Sequence, residues 1–160
     1  MDRKDLEILK ALQEDATVSL ADLAQSVNLS STPCWRRVQK LREEGVIRKQ
    51  VVLCDPVKLN LGLATFVLLR TSHHDEAWMR RFVDAANGIP EIVEIYRMSG
   101  DIDYLLKIVV PDVAGYDGVY KRLIAAVDLL DVSATFAMEV IKSSTALPLD
   151  YALGSSRRGQ

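Results

Sequence analysis

The sequence has few cysteines and histidines, and neither residue type is arranged as a metal ligand. Its 160 residues include two cysteines, Cys34 and Cys54, and two adjacent histidines, His73 and His74. The cysteine spacing fits no zinc motif, and no histidine lies near either cysteine. We therefore expect two free thiols, no metal site and no disulfide.

Long apolar runs are also missing. No run reaches the ~18 residues that a membrane-spanning helix needs, and the first residues, MDRKDLEILK, lack the apolar stretch of a secretory signal. These absences predict a cytoplasmic protein without membrane contact. The hydrophobic fraction of 49% is nevertheless enough to form a core, in one domain or two small ones.

A net charge of −2 excludes a protein that is basic throughout, as a nucleic-acid coat would be. Charge is unevenly distributed, because residues 1–50 balance at +1 and the remainder at −3. Within the first part, Arg36, Arg37, Lys40 and Arg42 occur with no acid among them. This local basic cluster is typical of a compact DNA-binding domain joined to an acidic partner domain.

Three helices are predicted in the first 45 residues. Leucines at helical spacing predict the first over residues 2–14. Ser19 is placed to cap the second. A turn at Asn28 precedes the third, which ends at Gly45. Two helices joined by such a short turn form a helix-turn-helix, and residues 46–53 then read as a strand that serves as a wing or a link.

The second half follows a different pattern, in which short apolar strands alternate with amphipathic helices. The predicted elements are a strand over 63–69, a helix over 75–87, strands over 92–98 and 104–110, a helix over 112–127 and a strand over 132–141. The order βαββαβ predicts a ferredoxin-like sheet with both helices on one face. The fold class is therefore α+β, with the domains divided as 1–50 helix-turn-helix, 51–61 linker strand, 62–149 ferredoxin-like domain and 150–160 flexible tail.

The third helix has the features of a DNA-recognition helix. Hydroxyl residues stand at its N-terminus, where backbone N–H groups favour a phosphate, and the arginines that follow can pair with guanine or phosphate. The residues that we assign to DNA binding are Ser30, Ser31, Thr32, Pro33, Trp35, Arg36, Arg37, Gln39 and Lys40. Two alternatives remain open: a solvated basic face of some other small domain and, for Trp35, packing between helices rather than against the DNA backbone.

Paired acids mark a second candidate site, at Asp101 and Asp103 in the sequence GDIDY. Strand alternation predicts that the two carboxylates point the same way. They would suit an ammonium group, whereas a metal would need more oxygen ligands, and catalysis would need a nucleophile or histidine that the motif lacks. The remaining alternative is a turn with solvated acids.

Three segments together resemble one family, the Lrp/AsnC (leucine-responsive) transcription regulators of bacteria. They are NLSSTPCWRRVQKLREEGVI, MSGDIDYLLKIVVPD and AMEVIKSSTALPL, and the resemblance covers residues 2–149. TPCW, the paired histidines and FAMEVIKSSTALP are most similar to the cysteine-responsive, DecR-type branch. The resemblance implies a regulator that binds double-stranded DNA and is not an enzyme. It also implies that a small amino acid, with cysteine as the first candidate, binds between subunits without another cofactor.

The resemblance also implies which residues hold this effector. They are Met98, Ser99, Gly100, Asp101, Asp103, Tyr104, Thr135, Phe136 and Ala137, with His74 as a further candidate unless it lies in a surface loop. One departure affects the last strand, because many family members have Pro-Gly where this chain reads Val127 to Asp131. The register of Thr135 is therefore open.

A homodimer is expected, because the sheet face without helices would expose a large apolar area. The resemblance extends the dimer to an octamer. Two other functions remain possible: an amino-acid-binding metabolic protein or carrier without specific DNA binding, and an RNA-binding protein that uses the sheet. The second would want exposed aromatic residues on the central strands, and these strands are mainly aliphatic.

Overall fold

The computed structural model describes residues 1–152, which form two compact units. The first unit contains residues 1–52 and 142–152, and the second contains residues 53–141. The tail predicted over 150–160 lies mostly outside the described residues, and its first two residues belong to a single 3₁₀ turn, Leu149–Tyr151.

The first unit is a three-helix domain, as the sequence predicts. Its helices are α1, Arg3–Glu14, α2, Leu20–Ser26, and α3, Ser31–Glu43. Asp2 and Ser19 cap the first two through their side chains. The inward faces form one core of Ile8, Leu9, Leu23, Ala24, Val27, Cys34, Val38 and Leu41.

Local backbone chemistry sets the two turns around α3. Asn28, between α2 and α3, has a φ of 53°, and Gly45, just after α3, has a φ of 72°. Both lie in the left-handed region, which Asn and Gly adopt more readily than other residues. The predicted turn and the predicted helix end are confirmed.

The strand predicted over 46–53 is not present. These described residues form bends and irregular backbone, and the linker over 51–61 contains only a 3₁₀ turn, Val57–Leu59. The apolar run that suggested a strand is solvent-exposed, with Val52 at 86%. A strand needs a partner for its backbone groups, and residues 1–152 of the single chain supply none here.

Residues 142–152 pack in the first unit, although the sequence analysis grouped most of them with the ferredoxin-like domain. Gln13 of α1 binds Leu147 in both directions: its side-chain amide donates to the Leu147 carbonyl at 3.2 Å, and the Leu147 N–H donates to Gln13 Oε1 at 2.7 Å. Leu149 packs against the three-helix core. The chain therefore joins the two units twice, near residues 52–53 and 141–142.

The second unit has the predicted βαββαβ order. Its elements are β1, Leu63–Arg70, α4, Glu76–Asn87, β2, Ile92–Arg97, β3, Tyr104–Val110, α5, Val113–Ala126, and β4, Asp131–Phe136. All strand pairs are antiparallel, and the sheet order is β2-β3-β1-β4. This is the ferredoxin-like topology, and the predicted fold class is confirmed.

Strand alternation sends one set of side chains toward the helices. In β3 every second residue from Tyr104 to Val110 is buried. An aromatic cluster forms the centre of this core, where Trp78 stacks on Phe82 with ring centroids 5.2 Å apart. The opposite face, which carries Phe66, Leu68, Leu105 and Val109, is not covered by either α-helix of the second unit.

The last strand is shorter than predicted, because β4 ends at Phe136 rather than near Ile141. The alternating pattern continues beyond Phe136, but β4 pairs with β1 only as far as Thr65, opposite Phe136, although β1 extends to Leu63. One further bond follows, from the Ala137 N–H to the Ala64 carbonyl at 2.9 Å. Met138, at 98% exposure, lies beyond the sheet.

None of the helices within residues 1–152 combines the length and the apolarity needed to cross a membrane.

Candidate functional site

Helix α3 presents a polar stripe to solvent. Its buried residues, Cys34, Val38 and Leu41, face the core, so the opposite side carries Thr32, Arg36 and Gln39 at helical spacing. Thr32 and Arg36 are exposed, and Gln39 is half-buried. Within residues 1–152, Arg36 makes no hydrogen bond or ion pair, which leaves its guanidinium available.

The N-terminus of α3 differs from those of the other four described α-helices. Asp2, Ser19, Asp75 and Asp112 cap those helices with side-chain acceptors. Ser30, at the cap position of α3, makes no such bond, and no acid occupies the first turn. The hydroxyl groups of residues 30–32 and the first N–H groups of α3 therefore face solvent beside a positive helix end.

The remaining residues of the predicted set lie on the flanks of this stripe. Pro33 and Lys40 are exposed, and Lys40 approaches Glu44 only to 3.7 Å. Trp35 is 51% exposed, so the structure does not place it between helices. Cys34 lies in the core instead, where burial raises the pKa of its thiol; Cys54 is exposed, and both thiols are free.

Arg37 faces α1 rather than the solvent stripe. Its Nη1 lies 2.7 Å from Asp2 Oδ2 and 2.7 Å from Asp5 Oδ1. Its hydrogen bonds to Asp2 and then Asp5 raise the pKa of Arg37, and the same Arg37 contact is the main cause that lowers the pKa of Asp2. The sequence places both acids at the start of the first helix, where D-x-x-D signals a capping box, but it does not predict their pairing with Arg37.

The turn between β2 and β3 holds the paired acids, but strand alternation does not orient them. β3 begins at Tyr104, so both acids precede it, and the premise that they lie on a strand is wrong. Gly100 in this turn has a φ of 112°, a conformation that favours glycine. The Met98 N–H donates to the Asp103 carbonyl at 2.8 Å and closes the turn.

The two acids have different surroundings. The Thr71 N–H donates to Asp103 Oδ2 at 2.8 Å, which ties the turn to the end of β1. The other Asp103 oxygen lies 4.0 Å from Nδ1 of the exposed His74. Asp101 and its neighbour Ser99 are exposed, and within residues 1–152 the Asp101 carboxylate accepts no hydrogen bond.

Two residues of the predicted effector set lie on the helix-covered face of the sheet, where Tyr104 joins the core and Phe136 stays 38% exposed. Tyr104 is buried against Phe82, with ring centroids 4.7 Å apart. Phe136 meets Tyr116 of α5 edge to face at 5.5 Å. Thr135 points to the opposite, helix-free face, where it pairs with Phe66.

Within one chain, the turn and the end of β4 are far apart. Leu69 at one end of β1 pairs with Tyr104, whereas Thr65 near the other end pairs with Phe136. β3 and β4 also lie on opposite sides of β1. The strand spacing puts these two groups about 10 Å apart across the sheet and more than about 13 Å apart along it, so they do not line one pocket in a single chain.

Thr71 is the residue of this region that sequence reasoning missed. It is buried, its N–H binds Asp103, and its hydroxyl accepts the His73 N–H at 3.0 Å. The signal was the segment TSHHD directly after an apolar strand. Among the described residues, no group of three His, Cys, Asp or Glu side chains converges as metal ligands would.

Comparison with known families matches both units. Residues 1–48 match the family model described as winged helix-turn-helix DNA-binding, and residues 64–147 match the one described as Lrp/AsnC ligand binding domain. Known structures agree in fold. An AsnC family transcriptional regulator from Agrobacterium tumefaciens is 58% identical with a TM-score of 0.91, over 94% of this chain and 99% of that chain.

Curated relatives extend over nearly the whole chain. The glutamate uptake regulatory protein of Zymomonas mobilis is 46% identical over 149 residues, which cover 93% of this chain and 91% of that protein. The DNA-binding transcriptional activator DecR of Escherichia coli K12 is 45% identical over 151 residues, which cover 94% and 99%. The chain therefore belongs to the Lrp/AsnC family and is a DNA-binding transcription regulator with an amino-acid-binding domain.

Proposed function

We propose that α3 reads DNA through the stripe Thr32, Arg36 and Gln39, with residues 30–32 at a phosphate. The observation that carries this proposal is the solvent-facing stripe that continues from a helix end without a side-chain cap. A helix N-terminus of this kind suits a phosphate, and Arg and Gln suit the acceptor and donor groups of guanine and adenine. Trp35 and Lys40 flank the stripe and contact the sugar-phosphate backbone of the DNA.

The ligand site proposed here is formed between subunits around the turn 98–103. The exposed Asp101 is the carboxylate best placed to meet an ammonium group, because Asp103 already accepts the Thr71 N–H. The backbone around Gly100 supplies donors for a carboxylate. Thr135, Phe136 and Ala137 of the same chain lie at the other end of β1, so any contribution from them comes from a partner subunit.

Cysteine is the first candidate for the effector, since TPCW, the paired histidines and FAMEVIKSSTALP resemble the cysteine-responsive branch, and DecR of Escherichia coli is 45% identical. Methionine and glutamate are the natural comparisons. The solved structure of NMB0573 from Neisseria meningitidis is an L-Met complex, with a TM-score of 0.90 at 29% identity, over 95% of this chain and 99% of that chain. The Zymomonas relative is named for glutamate uptake.

The proposed assembly is a homodimer through the helix-free sheet face. That face carries Phe66, Leu68, Leu105 and Val109, and apolar area of this kind marks an interface. Two α3 helices in a two-fold dimer would read a two-fold symmetric site. An octamer stays a prediction, and native mass spectrometry with and without cysteine measures the state directly.

The experiment that tests the function is a DNA titration. The duplex is selected by the unaltered protein from a random-sequence library, and affinity is measured with and without cysteine, methionine and glutamate. We expect specific binding whose affinity changes when one of the amino acids is added. If the effector prefers one assembly, and the assemblies differ in DNA affinity, linkage requires this change. Arg81→Ala, an exposed charge on α4, is the matched control for Arg36→Ala.

Three outcomes separate the proposals. Binding that responds to one amino acid supports both sites. Specific binding that ignores all three removes the cysteine assignment and leaves α3 as the reader. If the selection yields no specific duplex, the metabolite-binding alternative is favoured. Calorimetry with the same amino acids then shows whether the ligand site binds without DNA.

A further inference from the structure

The first turn of α1 holds both helices of the helix-turn-helix. Lys4 Nζ donates to the Val27 carbonyl, at the C-terminal end of α2, at 2.6 Å. Arg37 of α3 binds Asp2 and Asp5, each at 2.7 Å. We call Asp2, Asp5 and Arg37 the α1–α3 clamp.

The two carboxylates of the clamp are already fixed by the backbone. The Asp5 N–H donates to Asp2 Oδ1 at 3.0 Å, and the Asp2 N–H donates to Asp5 Oδ2 at 2.8 Å. This reciprocal pair is a capping box. Each acid thus uses one oxygen for the backbone of α1 and the other for Arg37, so neither can follow the guanidinium if it swings away.

Burial makes this pair different from the surface pairs of the molecule. The Asp5 side chain is 7% exposed and that of Arg37 is 33% exposed. If Arg37 turned to a DNA phosphate, the Asp5 carboxylate would stay buried without its counter-charge, which is costly. The neighbouring pair of Lys40 with Glu44 is long and exposed, and it can be given up at little cost.

We infer that Arg37 is a positioning residue: it holds α3 against α1 so that Arg36 faces the DNA, and it does not itself neutralise a phosphate. Adjacent residues on a helix point about 100° apart, so two arginines side by side in sequence have separate roles. The inference rests on the proposed role of α3 in reading DNA.

Salt dependence distinguishes a phosphate contact from a positioning role. A plot of log affinity against log salt concentration has a negative slope, and each phosphate contact that is lost lowers the magnitude of that slope by about 1. The probe is the duplex selected by the unaltered protein, and binding is measured over a KCl series at a temperature where circular dichroism shows every variant folded. We expect Lys40→Ala to lower the magnitude of the slope by about 1, because Lys40 is proposed to contact the DNA backbone, and Arg36→Ala to weaken binding by losing a base contact. Arg37→Ala should weaken binding about fivefold or more without changing the slope.

The sign of a second variant separates positioning from charge. Asp5→Asn removes a negative charge close to α3, so electrostatics alone would strengthen DNA binding. The clamp predicts weaker binding instead. In the Asp5→Asn background, Arg37→Ala should cause little further loss, because the two side chains act as one unit. Arg37→Lys keeps the charge and should bind DNA more tightly than Arg37→Ala. If Arg37→Ala does not fold, Arg37→Lys takes its place in the double-mutant comparison with Asp5→Asn.

Other results would overturn the inference or the proposal beneath it. If Arg37→Ala lowers the magnitude of the slope by about 1 in both backgrounds, Arg37 contacts phosphate. Tighter binding of the Asp5→Asn variant, or unchanged affinity of Arg37→Ala, removes the clamp from DNA binding. If Arg36→Ala changes neither affinity nor slope, α3 is not the reading helix, whatever the clamp variants do.

Discussion

The exposed stripe of α3 and the turn over residues 98–103 were both assigned from a short motif, and the structure treats them differently. On α3, the residues assigned to DNA lie outside the core, and Arg37 has protein partners. Around the turn, Tyr104 joins the core, and Asp103 binds the end of β1. The difference lies in how each motif is held.

The regular period of a helix fixes the direction of each side chain, whereas a turn between strands has no such period. Once three apolar positions of α3 face the core, the 3.6-residue period sends the others to known directions. The end of a strand depends on its pairing with a neighbouring strand, and β4 pairs with β1 only up to Phe136. The four predictions below test this contrast, beginning with the largest expected effect.

Replacing Tyr104 by alanine should destabilise the second unit by about 3–5 kcal/mol, because the ring fills the core between Phe82 and Trp78. Tryptophan fluorescence during denaturation measures this, and a Trp35→Phe background leaves Trp78 as the reporter. Tyr104→Phe is the control and should cost little. A stable Tyr104→Ala variant that has lost its ligand would instead put Tyr104 in the binding pocket.

Replacing Asp103 by alanine should lower stability by about 1.5–3 kcal/mol, since the buried Thr71 loses the acceptor of its N–H. We also expect the effector response to be lost while DNA binding is retained. The matched variant Asp101→Ala should stay within about 0.5 kcal/mol in stability yet weaken ligand binding by calorimetry. Equal stability losses for Asp101→Ala and Asp103→Ala would contradict the inference that only Asp103 ties the turn to the end of β1.

Replacing Arg36 by alanine should weaken binding to the selected duplex by about 1–3 kcal/mol, because its guanidinium faces solvent on the stripe. Fluorescence anisotropy with labelled duplex measures the change. Thermal stability should not fall, in contrast to Tyr104→Ala. An equal loss for the control Arg81→Ala would mean that only general charge is being measured.

The smallest effect is expected from Glu94 as pH falls. The Tyr96 hydroxyl, and next the Lys107 ammonium, hold the pKa of Glu94 below its ordinary 4.5. A lowered folded-state pKa stabilises the protein above 4.5, and that stability is lost as pH falls through the folded-state value. The pair is only half-buried and open to solvent screening, so the contribution stays below about 1 kcal/mol. Denaturation midpoints of Glu94→Gln and the unaltered chain should converge in acid.

The amino-acid sequence alone determined the elements of this protein and its family. Caps such as Asp2, Ser19, Asp75 and Asp112 start helices through bonds to residues only three positions away. Left-handed residues such as Asn28 and Gly45 form turns by their own conformational preference. Because these causes act within a few residues, they can be read from the chain, and β3 was predicted with its observed bounds.

Only the tertiary structure decided which neighbour each side chain meets. Arg37 binds acids that stand 32 and 35 residues earlier, and Asp103 binds an N–H 32 residues earlier. Residues 46–53 and those after Ala137 have strand-like sequences but are not paired with a strand within the described single chain. The physical reason is shared: ion pairs and strand pairing depend on distances between distant segments, which a local pattern does not contain.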